Sequence, residues 1–314
     1  EDDSRWAPFA AEAAPGRDHS RAATVDLLVP DGKRLRMEFR AYDGGVAFRY
    51  VIPQQPELAA VEILSESTRF EFGGDYDCLG FNVGKFQSSH EGEFDPVRPS
   101  ALRLHHLYDR PVVCQTSAGH GLALTEADLR HWGAMYLKGS NGGAESALSP
   151  RLDDPLVAVR TRVGSDIVSP WRVVMLAESP GKLAESMLVQ TLNPPSAIAD
   201  TSWIKPGKIA WDWWSGPVLR DVPSPGMNMP TLRRFIDFAS QSGFPYLMID
   251  EGWYAGAGGG GTVRPGVDVT RTVADIDMPA LVEYGAKKGV GLFLWLNWRA
   301  FDAQMDEALD QYAA

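Results

Sequence analysis

Cysteine and long hydrophobic runs are scarce in this sequence. Its 314 residues include 2 cysteines, Cys78 and Cys114, which are too few for a disulfide-rich scaffold and lack the spacing of a metal site. They are compatible with one disulfide or with two buried thiols, and the sequence does not decide between these states. No apolar run approaches the roughly 18 residues that a membrane-spanning helix needs, so we predict no membrane span.

An excess of positive charge is also absent. The chain has 30 Lys and Arg against 41 Asp and Glu, which gives a net charge of -11. This balance argues against nucleic acid or an anionic membrane as a partner and favours solubility. Hydrophobic residues make up 44% of the chain, as in ordinary globular proteins, and the length allows two domains with separate cores.

The first 200 residues show the two-residue period of half-buried strands. Clear examples are Ala23–Val29 and Leu35–Ala41, which are separated by a turn at Pro30–Lys33. Short strands with turn residues between them are typical of antiparallel sandwiches. We therefore predict an antiparallel β-sandwich over residues 1–200.

From residue 201 onward, strands alternate with amphipathic helices. The predicted strands are Lys208–Trp214, Tyr246–Asp250 and Val290–Leu296, and the predicted helices are Met229–Gly243, Asp277–Gly289 and a third from Asp302 onward. This order implies a parallel sheet with right-handed crossovers. We predict an α+β multidomain fold in which residues 201–314 are the first three βα units of an incomplete (β/α)8 TIM barrel.

Tryptophan and carboxylate side chains follow two of these strands. Asp212 and Trp213 lie at the end of the first strand, Asp250 ends the second, and Glu251 and Trp253 follow it. In a parallel α/β barrel, the carboxyl ends of the strands form the active-site face. Carboxylates bind sugar hydroxyls through charge-assisted hydrogen bonds, and flat indole faces can stack on pyranose rings. We therefore predict that these five residues bind a carbohydrate.

Other roles are open for several of these residues. Trp211 is an alternative stacking residue, and some of the indoles must point into the barrel wall. Asp212 could orient Lys208 or Arg299 instead of the substrate. Asp250 could be a helix N-cap or a salt-bridge partner.

A glycine-rich segment, Gly256–Gly261, follows the second strand. It lacks the Lys-Ser/Thr pair of a phosphate-binding loop, and the next predicted helix is more than ten residues away. We interpret it as a flexible βα loop over the site.

Several motifs together resemble glycoside hydrolase family 97. They are Ser202–Trp214, Ile249–Tyr254, Leu124–Leu129, Gly133–Leu137 and Ser169–Ala177, so the resemblance covers essentially the whole chain. It implies an exo-acting α-glycosidase, retaining or inverting, that requires calcium and acts on an oligosaccharide or α-glycoside. It also implies a bacterial protein that is periplasmic or secreted.

The resemblance implies roles for individual residues. Glu126 matches the sandwich glutamate that serves the family's calcium site; without the resemblance it would be a solvated loop glutamate. Asp250 matches a carboxylate that binds hydroxyls at the non-reducing end of the sugar. The catalytic acid and the nucleophile or base match positions beyond Ala314, so no catalytic residue is assigned.

Both ends of the chain are expected to be cut. The chain starts at Glu1–Ser4 without Met or a signal peptide, and it ends within a helical pattern at Tyr312–Ala314. The resemblance implies that the start of the sandwich, about five of the eight barrel strands and a last domain are missing. We therefore predict that this chain alone is inactive and that its edge strand at Val290–Leu296 favours aggregation.

The leading functional hypothesis is an inverting α-glucosidase, a preference that rests on Glu251 after Asp250. A retaining α-galactosidase of the same family is the alternative enzyme. A non-catalytic carbohydrate-binding protein is a different class, but the polar clusters lie on the barrel strands and not on the sandwich. An aldolase or isomerase would need a lysine at a strand end, and Lys208 begins its strand.

Overall fold

The computed structural model describes residues 2–7, 16–56, 58–140, 142–162, 164–213, 216–258 and 263–312. The chain divides into two compact units, Glu1–Ala199 and Asp200–Ala314. The first unit consists mostly of antiparallel strands, and the second contains a parallel sheet with helices.

Strands dominate the first unit. In chain order they are β1 (Asp2–Trp6), β2 (Gly16–Leu28), β3 (Arg34–Tyr42), β4 (Gly45–Ile52), β5 (Ala60–Ile63), β6 (Arg69–Glu71), β7 (Asp77–Asn82), β8 (Asp95–Val97), β9 (Tyr108–Gln115), β10 (Gly121–Ala127), β11 (Met135–Ser140), β12 (Gly143–Leu148), β13 (Val159–Arg162), β14 (Ile167–Val168) and β15 (Trp171–Ala177). A short helix, α1 (Leu188–Thr191), follows them. The main sheet has the order β1-β2-β3-β4-β15-β10-β9-β11-β12-β6, while β5 pairs with β13.

The main sheet curls until strands far apart in its order face each other. The ring centroids of Phe48 in β4 and Phe70 in β6 are 6.5 Å apart, although β15, β10, β9, β11 and β12 lie between those strands. Two neighbouring residues of β10 belong to different apolar clusters. Ala123 packs in one cluster, and Leu124 packs in the other. Since successive side chains of a strand point to opposite faces, the central strands are buried on both sides.

A disulfide joins Cys78 in β7 to Cys114 in β9. The two residues are direct partners in the antiparallel register. Both are almost completely buried. Of the two states that the sequence left open, the structure therefore shows the disulfide.

The second unit alternates strands and helices. In chain order its elements are β16 (Ile209–Trp211), α2 (Met229–Gln241), β17 (Tyr246–Ile249), β18 (Tyr254–Ala255), β19 (Asp268–Thr272), α3 (Met278–Lys287), β20 (Gly291–Leu294), α4 (Trp298–Asp302) and α5 (Met305–Tyr312). β16, β17 and β20 form a parallel sheet with β17 in the centre, and β18 pairs with β19. The predicted parallel pairing is confirmed.

Capping residues set the bounds of the two long helices that follow β16 and β17. The Asn228 side chain accepts a hydrogen bond from the backbone N–H of Thr231 at the start of α2. Asp277 does the same for Ala280 in α3. After α3, Gly289 has a φ of 72°, a conformation that favours glycine and ends the helix. Of the helices in the described ranges, none has both the length and the hydropathy needed to cross a membrane.

The core of the second unit lies between the parallel sheet and its helices. Its members with 0% exposure include Leu232, Ile236 and Ala239 of α2, Leu247 and Ile249 of β17, and Leu281 of α3. Residues buried this completely have little freedom to move, since interiors are close-packed. The core therefore fixes the positions of the strands and of their carboxyl ends.

Candidate functional site

Buried polar side chains follow all three strands of the parallel sheet. Asp212 comes after β16, Asp250 after β17, and Asn297 after β20. Their exposed fractions are 7%, 8% and 6%. Because the strands are parallel, their carboxyl ends share one edge of the sheet, and α/β proteins bind ligands at that edge. We therefore take this edge as the candidate site.

Two N–H groups orient the carboxylate of Asp250. Its Oδ2 accepts the indole N–H of Trp211 at 2.5 Å. Its Oδ1 accepts the backbone N–H of Glu251 at 2.6 Å. A carboxylate offers about four acceptor positions. This arrangement therefore leaves one position on each oxygen for further donors.

Asp212 links the ends of β16 and β17. Its Oδ1 accepts the backbone N–H of Asp250 at 3.2 Å. Burial raises the pKa of the Asp212 carboxyl above its usual value, and the negative charge of Asp250 adds to this effect. The hydrogen bond from Asp250 opposes the shift by favouring the ionised form. The structure places Asp212 beside Asp250, whereas its predicted contact with substrate stays a prediction.

Trp211 and Trp213 form a stacked pair at this edge. Their ring centroids are 5.2 Å apart, with an interplanar angle of 27°. Trp211 is 41% exposed and Trp213 is 52% exposed. Two partly exposed indoles present a flat apolar surface beside the Asp250 carboxylate. Sugar binding needs this combination of a carboxylate and a flat apolar surface. The geometry therefore suits the stacking role of Trp213, which stays a prediction.

Trp253 does not fit the stacking role predicted for it. Its side chain is 0% exposed, and its indole N–H donates to the backbone carbonyl of Trp295 at 2.8 Å. The rings of Tyr254 and Tyr312 contact it edge-on, at centroid distances of 5.3 and 5.5 Å. No face of the indole is open to a ligand, because the side chain belongs to the core. Trp253 is therefore one of the indoles that point inward.

Glu251 contacts the glycine-rich segment. Its Oε1 accepts the backbone N–H of Gly258 at 3.2 Å. Residues 259–262, which include the end of this segment, lie outside the described residues. One carboxylate oxygen thus positions the base of the loop next to the site. Hydroxyl binding by Glu251 stays a prediction.

Asn297 lies at the same edge of the sheet, as its position directly after the predicted strand Val290–Leu296 indicates, and it caps the next helix. Its side chain accepts the backbone N–H of Arg299 at 3.0 Å and so caps α4. The guanidinium of Arg299 lies over the Trp298 ring, 5.1 Å from its centroid. An asparagine directly after a strand is a recognisable N-cap signal. That signal could have placed the helix start at Trp298 instead of Asp302.

Glu126 belongs to a buried row of alternating charges in the first unit. Arg172, with 0% exposure, donates to Glu126 at 2.8 Å and to Glu66 at 2.5 and 2.8 Å. Arg110 lies 3.0 Å from the other oxygen of Glu126. The backbone N–H of Met135 also donates to this carboxylate. Each buried charge in the row therefore has a partner of opposite sign.

These contacts do not fit the calcium role that the resemblance implies for Glu126. Calcium takes six to eight oxygen ligands, whereas both oxygens of Glu126 face guanidinium groups. No cluster of three or more His, Cys, Asp or Glu side chains that could hold a metal occurs among the described residues. The described geometry makes Glu126 an ion-pair partner. Calcium dependence stays a prediction of the resemblance alone.

Comparison with known protein families agrees with this combination of units. A profile described as Glycosyl-hydrolase 97 N-terminal matches residues 1–195. A second, described as Glycoside hydrolase 97, matches residues 211–314 and so includes the candidate site. The chain belongs to glycoside hydrolase family 97.

Two curated relatives of the chain are named as retaining alpha-galactosidases. A retaining alpha-galactosidase of Bacteroides thetaiotaomicron is 31% identical over 327 residues, which cover 95% of this chain and 46% of that protein. A probable retaining alpha-galactosidase of Streptomyces bingchenggensis is 28% identical and covers 86% of this chain and 39% of that protein. The chain thus spans less than half the length of these relatives.

A solved family 97 enzyme from Pseudoalteromonas sp. strain K8 has a similar fold. Its complex with acarbose superimposes with a TM-score of 0.84 at 25% identity, covering 99% of this chain and 48% of that one. A variant of that enzyme in complex with panose gives a TM-score of 0.85 at 26% identity, with the same coverage.

Proposed function

We propose that the protein is a family 97 glycoside hydrolase that acts on α-galactosides. The observation that carries the glycosidase assignment is the Asp250 carboxylate, held by Trp211 beside a stacked indole pair at the ligand-binding edge of the sheet. The names of the two curated relatives support galactosides as the substrate class.

The proposed role of this edge is to hold the sugar. Asp250 has one acceptor position left on each carboxylate oxygen, which suits two neighbouring hydroxyl donors. Such hydrogen bonds to a carboxylate are short and strong because the acceptor is charged. The paired rings of Trp211 and Trp213 cover the apolar face of the sugar, and Asp212 fixes the backbone from which Asp250 projects. No catalytic acid, nucleophile or base is assigned among the described residues.

The proposed architecture follows the prediction from the sequence. We propose that the curled sheet of the first unit is a β-sandwich. We also propose that the second unit contains the first three βα units of a (β/α)8 barrel. The first βα unit is β16 with α2, the second is β17 with α3, and the third is β20 with α4 and α5. The parallel order β16-β17-β20 and the helices between these strands support the second assignment.

An α-glucoside is the second candidate substrate. It is supported by the similarity to a solved family 97 enzyme in complexes with acarbose and panose. The preference for an inverting α-glucosidase rests on Glu251. Because one carboxylate oxygen of Glu251 accepts the backbone N–H of Gly258, this residue supports the glucoside less strongly than the names of the curated relatives support the galactoside.

Hydrolysis of two chromogenic substrates decides between these candidates. Full-length protein is incubated with an aryl α-galactoside and an aryl α-glucoside, and proton NMR records the anomer released first. We expect faster release from the galactoside with retention of configuration. Preferential release from the glucoside with inversion would replace the first candidate by the second. Sugar binding without hydrolysis of either substrate would support a carbohydrate-binding protein instead.

We also propose a periplasmic or secreted location. The Cys78–Cys114 disulfide supports it, because disulfides persist mainly in oxidising compartments. Both cysteines of the chain are used in this bridge.

A further inference from the structure

Trp211 contacts both components of the candidate site. Its ring stacks on Trp213, and its indole N–H donates to the Asp250 carboxylate at 2.5 Å. In the parallel register Trp211 is paired with Met248, two residues before Asp250. Because side chains alternate along a strand, Trp211, Met248 and Asp250 project from the same face of the sheet. The strand register therefore places the indole N–H within reach of the carboxylate.

We infer that Trp211 is a positioning residue for Asp250, an assignment that rests on the proposed glycosidase function. A carboxylate after the end of a strand can rotate about its side-chain bonds. The N–H groups of Trp211 and Glu251 each hold one oxygen, so the carboxylate plane is fixed. The two acceptor positions that remain are then presented in one orientation to a pair of substrate hydroxyls.

The Trp211→Phe variant separates this role from stacking, because phenylalanine keeps an aromatic ring and removes the N–H. Hydrogen bonds to charged groups are among the stronger ones in proteins, so we expect KM for the aryl glycoside to rise about 10- to 100-fold. The expected change in kcat is below about threefold, since the lost contact holds the substrate in the ground state as well as in the transition state. Circular dichroism confirms that the variant is folded.

A double-mutant cycle tests whether Trp211 acts through Asp250. In the Asp250→Asn background, Trp211→Phe should raise KM by less than about threefold, because the charged acceptor is already lost. The control is Trp203→Phe, at an indole that is 68% exposed and precedes β16. It should leave KM within about twofold of the wild-type value. An unchanged KM in Trp211→Phe, or equal losses in both backgrounds, would overturn the inference.

A second measurement does not depend on activity. In 15N-labelled full-length protein, the Trp211 indole N–H resonance is assigned by its loss in Trp211→Phe. A hydrogen bond to a carboxylate should move this proton resonance downfield, and Asp250→Asn should move it back upfield. If the wild type hydrolyses neither glycoside, the proposed function fails, and this resonance still decides the inference. A Trp211 signal that is the same in wild type and Asp250→Asn contradicts the positioning role.

Discussion

At the scale of single residues, Asp212 shows how burial and hydrogen bonding act on one carboxyl group. Burial and the charge of Asp250 raise its pKa, whereas the N–H that it accepts from Asp250 lowers it. Burial is the largest of these effects, and the pKa is raised overall. Ionisation of Asp212 therefore costs more free energy in the folded protein than in the unfolded chain.

We expect Asp212→Asn to become more stabilising, relative to wild type, as the pH rises. Below the usual carboxyl pKa of 3.8, Asp212 is protonated in both the folded and the unfolded state. As the pH increases, the unfolded chain loses this proton first, so the wild type loses stability until the folded carboxyl also ionises. Asparagine keeps the acceptor oxygen and has no such titration. Urea unfolding at a series of pH values measures the difference.

Asp221→Asn is the matched control for this experiment. Asp221 lies in the same unit, and a hydrogen bond from Arg234 lowers its pKa. In the folded protein its carboxyl ionises before that of the unfolded chain, so the wild type should gain stability relative to this variant as the pH rises, the opposite of the change expected for Asp212→Asn. A difference between wild type and Asp212→Asn that stays constant as the pH rises from below 3.8 would contradict the prediction.

Two tryptophans show which residues of the site could be predicted from the sequence. Trp211 ends β16, where the pleat still determines the direction of each side chain. Trp253 follows Gly252, which has a φ of 117°, so the chain has already left the extended conformation. The strand period does not apply beyond that point. The carboxylate of Asp250 was predictable from its place next to the strand, whereas the burial of Trp253 depends on the turn.

At the scale of elements, the disulfide lies across the β7–β9 strand pair in the first unit. It closes a segment with a sequence separation of 36 residues. A cross-link restricts the unfolded chain and thereby raises the free energy of unfolding. The strand pairing and the bridge therefore stabilise the same part of the sheet.

We expect reduction of the disulfide to lower the free energy of unfolding by about 2–4 kcal/mol. Urea unfolding with and without dithiothreitol measures the difference. The chain has no other cysteines, so a Cys78→Ala/Cys114→Ala variant is the control and should not respond to the reductant. An equal response in this variant, or no response in the wild type, would contradict the prediction.

Element bounds were predictable where local chemistry determines them. α3 was predicted over Asp277–Gly289 and spans Met278–Lys287, with Asp277 as its cap and Gly289 just beyond its end. Whether Cys78 and Cys114 form a disulfide was not predictable from the sequence. It depends on the register of β7 against β9, which the tertiary fold sets and no local pattern records.

At the scale of the whole molecule, the second unit has a large apolar groove. Its volume is about 980 Å³, and α3, β20 and α5 line it with residues that include Val282, Leu292 and Phe293. Val282 is 51% exposed and Phe293 is 48% exposed. Large exposed apolar surfaces favour association. This groove is the surface at which we expect the chain to self-associate, and the tendency to aggregate stays a prediction.

We expect Val282→Glu to reduce self-association of the 314-residue chain. A charge in the groove opposes its burial against a second molecule, because an unpaired charge is costly to desolvate. Sedimentation velocity over a range of protein concentrations measures the effect. Gln241→Glu, on an exposed position of α2, adds the same charge away from the groove and should change nothing. Equal effects of the two variants would assign the change to net charge.

The buried row of alternating charges limits which substitutions the protein tolerates. The row consists of Glu66, Arg172, Glu126 and Arg110. Removing Arg172 leaves Glu66 as a buried charge without its ion-pair partner, and such a loss typically costs about 3–5 kcal/mol. That loss is a large fraction of the stability of most domains. Single replacements at the most buried positions should thus be eliminated by selection. Among homologous sequences, we expect these four positions to covary. Either all four charged residues are present, or all four are replaced together.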